Sequence, residues 1–245
     1  MSGGASTTPA QRLRDGLARV RALREDARAD PVLAQDRLLV RAWQADRLAR
    51  PYPDLLASPR YGPAAAFFLS DLYGPKDYSA RDEAVGRIIP TLARVLPASA
   101  LETIALAVEL DALSETLDQR LAAALRREQP GAQALALTED AYAAAYRAAG
   151  AASERERQIW LVGRIGAALD RLARKPLVAG ALRVMEGPAH AAGLGALHDF
   201  LARGFAAFRG MRGADEFLAT IAARESRINA RLFAADPAAF APGRS

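Results

Sequence analysis

The chain has 245 residues, 51% of them hydrophobic, with no cysteine, a formal net charge of +5 and a pI near 9.9. That length supports one large helical domain or two small ones with a sizeable core, and the absence of cysteine excludes a disulfide framework, a thiolate metal site and Cys–His catalysis. The basic balance invites an anionic partner, but acids are interspersed among the arginines and no aromatics interleave with them for stacking on bases, which argues against nucleic acid.

The opening MSGGASTTPA has neither a charged n-region nor an apolar h-region, so residues 1–9 are read as disordered rather than as a secretory leader. No apolar run approaches the roughly 20 residues of a membrane span, so a soluble, cytoplasmic, bacterial protein is expected. A first helix is predicted over about 10–28, with Leu13, Leu17 and Val20 on one face. Pro31 starts a second, about 31–50, and Pro51, Pro53 and Pro59 predict a loop after it. Pro63 opens a third, which Gly74-Pro75 ends. Ser79 reads as the N-cap of a fourth, about 80–96, kinked by Pro90.

Ser99 and Glu102 form a capping box for a long fifth helix, about 99–128. It is apolar on two sides, through Leu106, Leu110, Leu117 and Leu121 and through Leu101, Ile104 and Val108, which marks a central element. Beyond Pro130-Gly131, helices are predicted over about 138–149 and 154–174, with Gly163 and Gly166 as close-packing positions. A short helix is expected between Pro176 and a break at Gly187-Pro188, then helices over about 188–210 and 214–235. No strand and no repeat is predicted. The expectation is all-α: a single bundle of eight to ten helices over residues 10–236, with a frayed tail at 237–245.

The densest chemistry lies in Phe67–Asp82, FFLSDLYGPKDYSARD. On a helix Asp71 shares the face of Phe67 and Phe68, and a buried carboxylate there needs an arginine, a capped N–H or a ligand. Tyr73, Asp77 and Tyr78 follow on the turn, with Arg81 and Asp82 at the next helix start. The corner is either a joint held by an Asp–Arg pair or one wall of a pocket. His190 and His198, the only histidines, are spaced to approach one site but not to chelate as an i,i+4 pair. Glu225 interrupts the stripe Leu218, Ile221, Ile228, Leu232, so it is paired with an arginine of another helix or functional.

Asp111, Glu115 and Asp118 recur at i, i+4 and i+7, the geometry by which a bundle offers carboxylates to a metal. No Glu-x-x-His accompanies them, so neither a metal nor a cofactor is assigned. G-x-S-x-G, Walker A and a strand-linked G-x-G-x-x-G are all missing, and no catalytic residue is assigned.

Residues 67–97, FFLSDLYGPKDYSARDEAVGRIIPTLARVLP, resemble the signature of an uncharacterised bacterial all-helical family, a domain of unknown function marked by FFL-x-DLYG-x-x-D-[FY]-x-x-RD before a proline-ended helix. Residues 188–225 are similar to that family's second block. The resemblance implies an all-α, cytoplasmic protein and carries no residue roles. A looser similarity to heme-oxygenase-like bundles is architectural only.

The leading expectation is a non-catalytic protein that binds a small ligand or a protein partner near the 67–82 corner. Its candidate residues are Asp71, Tyr73, Asp77, Tyr78, Arg81, Asp82, His190, His198 and Glu225. The alternative is a metal- or heme-dependent bundle oxidoreductase using Asp111, Glu115, His190, His198 and Glu225. A third reading is nucleic-acid binding through the arginine-rich first helix.

Overall fold

The structure, a computed structural model, describes residues 8–72 and 98–241, and every regular element among them is helical. Helix α1 (Pro9–Ala29) starts where Thr8 Oγ1 accepts from the Gln11 N–H. One residue, Asp30, separates it from α2 (Pro31–Ala49). Its carboxylate accepts from the N–H groups of Val32 and Leu33, while Pro31 takes the first helical position, where a missing N–H costs nothing. The stretch expected to be loop contains the short helix α3 (Pro53–Ala57), because Pro53 sits at its first turn and so does not break it. Helix α4 (Gly62–Phe67) runs on into a π-helical turn over Phe68–Leu72. Single π-turns are frequent at functional sites.

The long helix α5 (Ala98–Glu128) is central: α1, α2, α6 (Glu139–Ala149) and α7 (Ala152–Ala173) all pack on it. That is the position its two apolar sides predicted. Helix α8 (Pro176–Ala191) runs straight through Gly187-Pro188, where a break was expected. Ala189 is its one buried residue, so the strain of an internal proline falls on a helix with open sides. The chain reverses instead at Gly193, whose φ of 71° is a left-handed stop, before α9 (Gly195–Met211) and α10 (Asp215–Phe233). Among the described residues no helix is long and apolar enough to cross a membrane.

Three apolar clusters follow from these stripes. Leu13 and Val20 of α1 bury against Ala105, Val108 and Ala112 of α5. Phe68 of the π-turn meets Phe208 of α9 and Phe217 of α10 at ring separations of 6.0 and 5.7 Å. Val40, Leu121, Leu125 and Leu232 surround Tyr142, which stacks on Trp43 at 4.0 Å. Beyond Pro237 the chain folds back, burying Ala239 and setting Phe240 edge-on to Trp43 at 5.8 Å.

The two α7 glycines differ. A Cβ on Gly166 would lie 2.4 Å from Leu218 Cδ2, so α7 and α10 approach closely there, whereas nothing lies within 4 Å of one on Gly163. Gly163→Ala should therefore raise stability by about 0.5–1 kcal/mol through helix propensity alone. Gly166→Ala should lower it, because overpacking costs about 1–3 kcal/mol and exceeds that gain. Urea midpoints of the two variants check this, and shifts of the same sign would contradict it.

Candidate functional site

Helix α2 carries Arg37, Arg41 and Gln44 at i, i+4 and i+7, on one face. The acids Asp111, Glu115 and Asp118 of α5 repeat that spacing, and the two stripes meet. Glu115 is 1% exposed, and its carboxylate takes Arg24 Nε of α1 at 3.0 Å and the guanidinium groups of both Arg37 and Arg41. Arg24 also reaches Asp111 at 3.0 Å. Arg41 Nε and Gln44 Nε2 donate to the two oxygens of Asp118 at 3.2 and 2.8 Å. The three acids that sequence spacing offered to a metal are thus engaged by side chains of α1 and α2. Burial pushes the Asp118 carboxyl up from its ordinary range, against the pull of Arg41. Burial and the neighbouring Arg41 charge bring Arg37 down.

Farther along α2, Arg47 Nη1 donates to Glu225 Oε2 of α10 at 2.8 Å, and Tyr52 Oη donates to Glu225 Oε1 at 2.8 Å. The interrupting acid is therefore partnered by an arginine of another helix. Arg47 Nε is buried with no acceptor among the described residues.

Part of this network forms the polar wall of a cavity of about 140 Å³ lined by residues of α2 to α7 and α10. That is room for several waters. Arg41, Arg47, Asp118, Arg155 and Glu225 lie on its polar side, and Leu55, Phe68, Val162, Phe217 and Ile221 on its apolar side. Arg155, on the first turn of α7, is 6% exposed. Its side chain makes one hydrogen bond, Nη1 to Gln158 Oε1 at 3.3 Å, and its guanidinium lies over the Tyr146 ring at 4.7 Å. Among the described residues no carboxylate stands within ion-pair distance of it. The guanidinium groups of Arg24, Arg37, Arg41 and Arg47 thus pair with Asp111, Glu115, Asp118 and Glu225, while Arg155 stacks on Tyr146 with no carboxylate at ion-pair distance among the described residues.

Sequence reasoning did not single out Arg41, Gln44, Arg47 and Arg155. The available signal was the identical 4–3 spacing of the basic and acidic stripes.

Of the expected corner, the described residues reach this site. Phe68 and Leu69 line the cavity. Asp71 belongs to the π-turn, but its side chain, with Tyr73, Asp77, Tyr78, Arg81 and Asp82, lies outside the described residues.

The histidines stand apart from the cavity lining. His190 ends α8 and His198 begins α9, so they meet across the Gly193 turn rather than along one helix, with ring centroids 5.9 Å apart. His198 Nε2 lies 2.8 Å from the Leu182 carbonyl oxygen, and His190 Nδ1 lies 2.9 Å from that of Glu186. Asp199 Oδ1 is 3.5 Å from His198 Nδ1 and 3.6 Å from His190 Nε2. The Leu182 carbonyl and the Asp199 carboxylate hold the His198 imidazole above its ordinary range. Glu225 and the two histidines therefore do not form one constellation.

Residues 23–239 match the sequence model of a family described as Domain of unknown function (DUF8198). No curated protein and no solved structure matches the chain.

Proposed function

The chain belongs to the DUF8198 family, whose description names no activity, and from that premise we propose that it is a non-catalytic protein binding a small anion with an apolar body in the cavity beside Phe68. Arg155 carries this reading. A buried cation without a direct ion-pair partner is costly, and a carboxylate entering the cavity supplies one. The planar guanidinium suits a carboxylate, which it can hold through two parallel N–H donors. The wall opposite, from Leu55 to Ile221, takes the hydrocarbon part at about 0.8 kcal/mol per buried CH₂. Support for a binding rather than a catalytic role comes from the lining itself. Asp118 and Glu225 are each held by an arginine, and Ser114 Oγ donates to the Leu110 carbonyl while accepting from Gln158.

The test is a pair of isosteric probes. 2-Naphthoate should bind and raise the melting temperature in proportion to occupancy, while neutral 2-naphthol should do neither. Octanoate provides a second carboxylate of different shape. Equal behaviour of acid and alcohol, or no binding by either acid, overturns the reading. Asp71→Ala and Arg81→Ala then ask whether the corner takes part: weaker naphthoate binding at unchanged melting temperature places it in the site.

A further inference from the structure

The histidine corner is independent of the cavity. The chain has two histidines, and both lie here. One ligand atom from each of His190, His198 and Asp199 falls within 4.8 Å of the other two. We propose that these three residues bind a divalent transition-metal ion of the zinc class and fasten the end of α8 to the start of α9.

The spacing supports a metal over a proton. With metal–ligand bonds of about 2.0–2.2 Å, a tetrahedral zinc site has ligand–ligand edges of roughly 3.3–3.5 Å. The two edges to Asp199 Oδ1 are 3.5 and 3.6 Å, whereas an N–H donor and its oxygen acceptor normally lie about 2.7–3.2 Å apart.

The tautomers support it as well. A carbonyl oxygen only accepts, so His198 Nε2 and His190 Nδ1 carry the hydrogens given to Leu182 and Glu186. In the neutral rings the lone pairs are then on His198 Nδ1 and His190 Nε2, the two nitrogens that face Asp199. A metal-ligating histidine typically donates its other N–H to such a carbonyl, which fixes the ring.

The backbone makes room for the ring. A Cβ on Gly195 would lie 2.5 Å from His190 Cδ2 and 2.9 Å from Nε2, so a side chain at that position would push the imidazole out. Three protein ligands leave a position for water, and His190 and Asp199 are each about half exposed, so an ion reaches the site from solvent. Helix α8 buries only Ala189 and leaves Leu177, Val184 and Met185 exposed, so a metal clasp would be a principal tether at its end.

The test uses the full chain, stripped with chelator and titrated with Co²⁺ under visible absorption, then with Zn²⁺ as competitor. One Co²⁺ per chain, displaced by Zn²⁺, is expected, with a melting temperature that rises with Zn²⁺. His190→Ala and Asp199→Asn, at exposed positions, should keep the helical circular dichroism and weaken Co²⁺ binding about tenfold or more. Gly195→Ala should weaken it too. No stoichiometric Co²⁺ binding by the wild type, or equal binding by the His190 and Asp199 variants, overturns the proposal and leaves a histidine–carboxylate hydrogen-bond cluster in its place.

Discussion

Glu115→Ala should destabilise the protein by about 3–5 kcal/mol, the cost of breaking a buried ion pair by removing one partner. For a chain of this size that is a fall in melting temperature of roughly 6–20 °C. The reason lies in what is left behind. Arg24 keeps Asp111 and Arg41 keeps Asp118, but Arg37 loses its carboxylate and retains only the Leu23 carbonyl at 3.3 Å, in a site where it is 5% exposed. Arg37 Nε already lacks an acceptor among the described residues. Glu109→Gln is the control. It breaks the solvent-exposed pair with Arg157 and should cost less than about 1 kcal/mol. Joint replacement of Glu115 and Arg37 by Met should recover most of the loss, because an apolar pair leaves no orphaned charge. Thermal melts of the four proteins check the order. A Glu115→Ala loss no larger than that of Glu109→Gln would refute the buried-network account.

Arg155→Met is expected to behave in the opposite sense. It removes a buried cation that has no carboxylate at ion-pair distance among the described residues, so the desolvation cost disappears with it. Against that stand one hydrogen bond to Gln158, worth about 1 kcal/mol, and a cation–π contact with Tyr146 worth about 1–2 kcal/mol. Stability should therefore stay within about 1 kcal/mol of wild type or rise. Affinity for 2-naphthoate should fall by about 2 kcal/mol or more, some thirtyfold. Arg47→Met separates this from a general arginine effect: it strands Glu225 and should destabilise strongly. Isothermal titration and urea unfolding on both variants give the comparison. Naphthoate binding undiminished in Arg155→Met would remove the anion site.

Among the described residues the helices were legible because proline and glycine punctuate this chain at their ends; the one expected over about 80–96 lies outside the described residues. Pro31 and Pro176 start helices, Thr138 caps α6, and the two apolar sides of α5 announced its place in the middle. The α8–α9 boundary was misplaced because Gly187-Pro188 carries a stronger local stop signal than Gly193, and only packing shows that α8 has open sides on which to tolerate its proline. The candidate site was legible in part. Glu225 stood out as an acid in an apolar stripe, but the sequence could not say that Arg47 would answer it. Periodicity reports which face of a helix is polar, not what that face meets. For the same reason the arginines of α2 did not stand out, although the matching acids of α5 engage them in the interior.

Trp43, Arg47 and Tyr52, near the beginning, are completed by Glu225 and Phe240, near the end. A growing polypeptide on the ribosome holds these early groups unsatisfied until position 240 has cleared the exit tunnel. Assembly of this part of the interior therefore depends on contacts of high sequence separation, which form slowly. Expression as two co-produced halves, with Trp43 and Phe240 on separate pieces, should yield folded material only when both halves are present together.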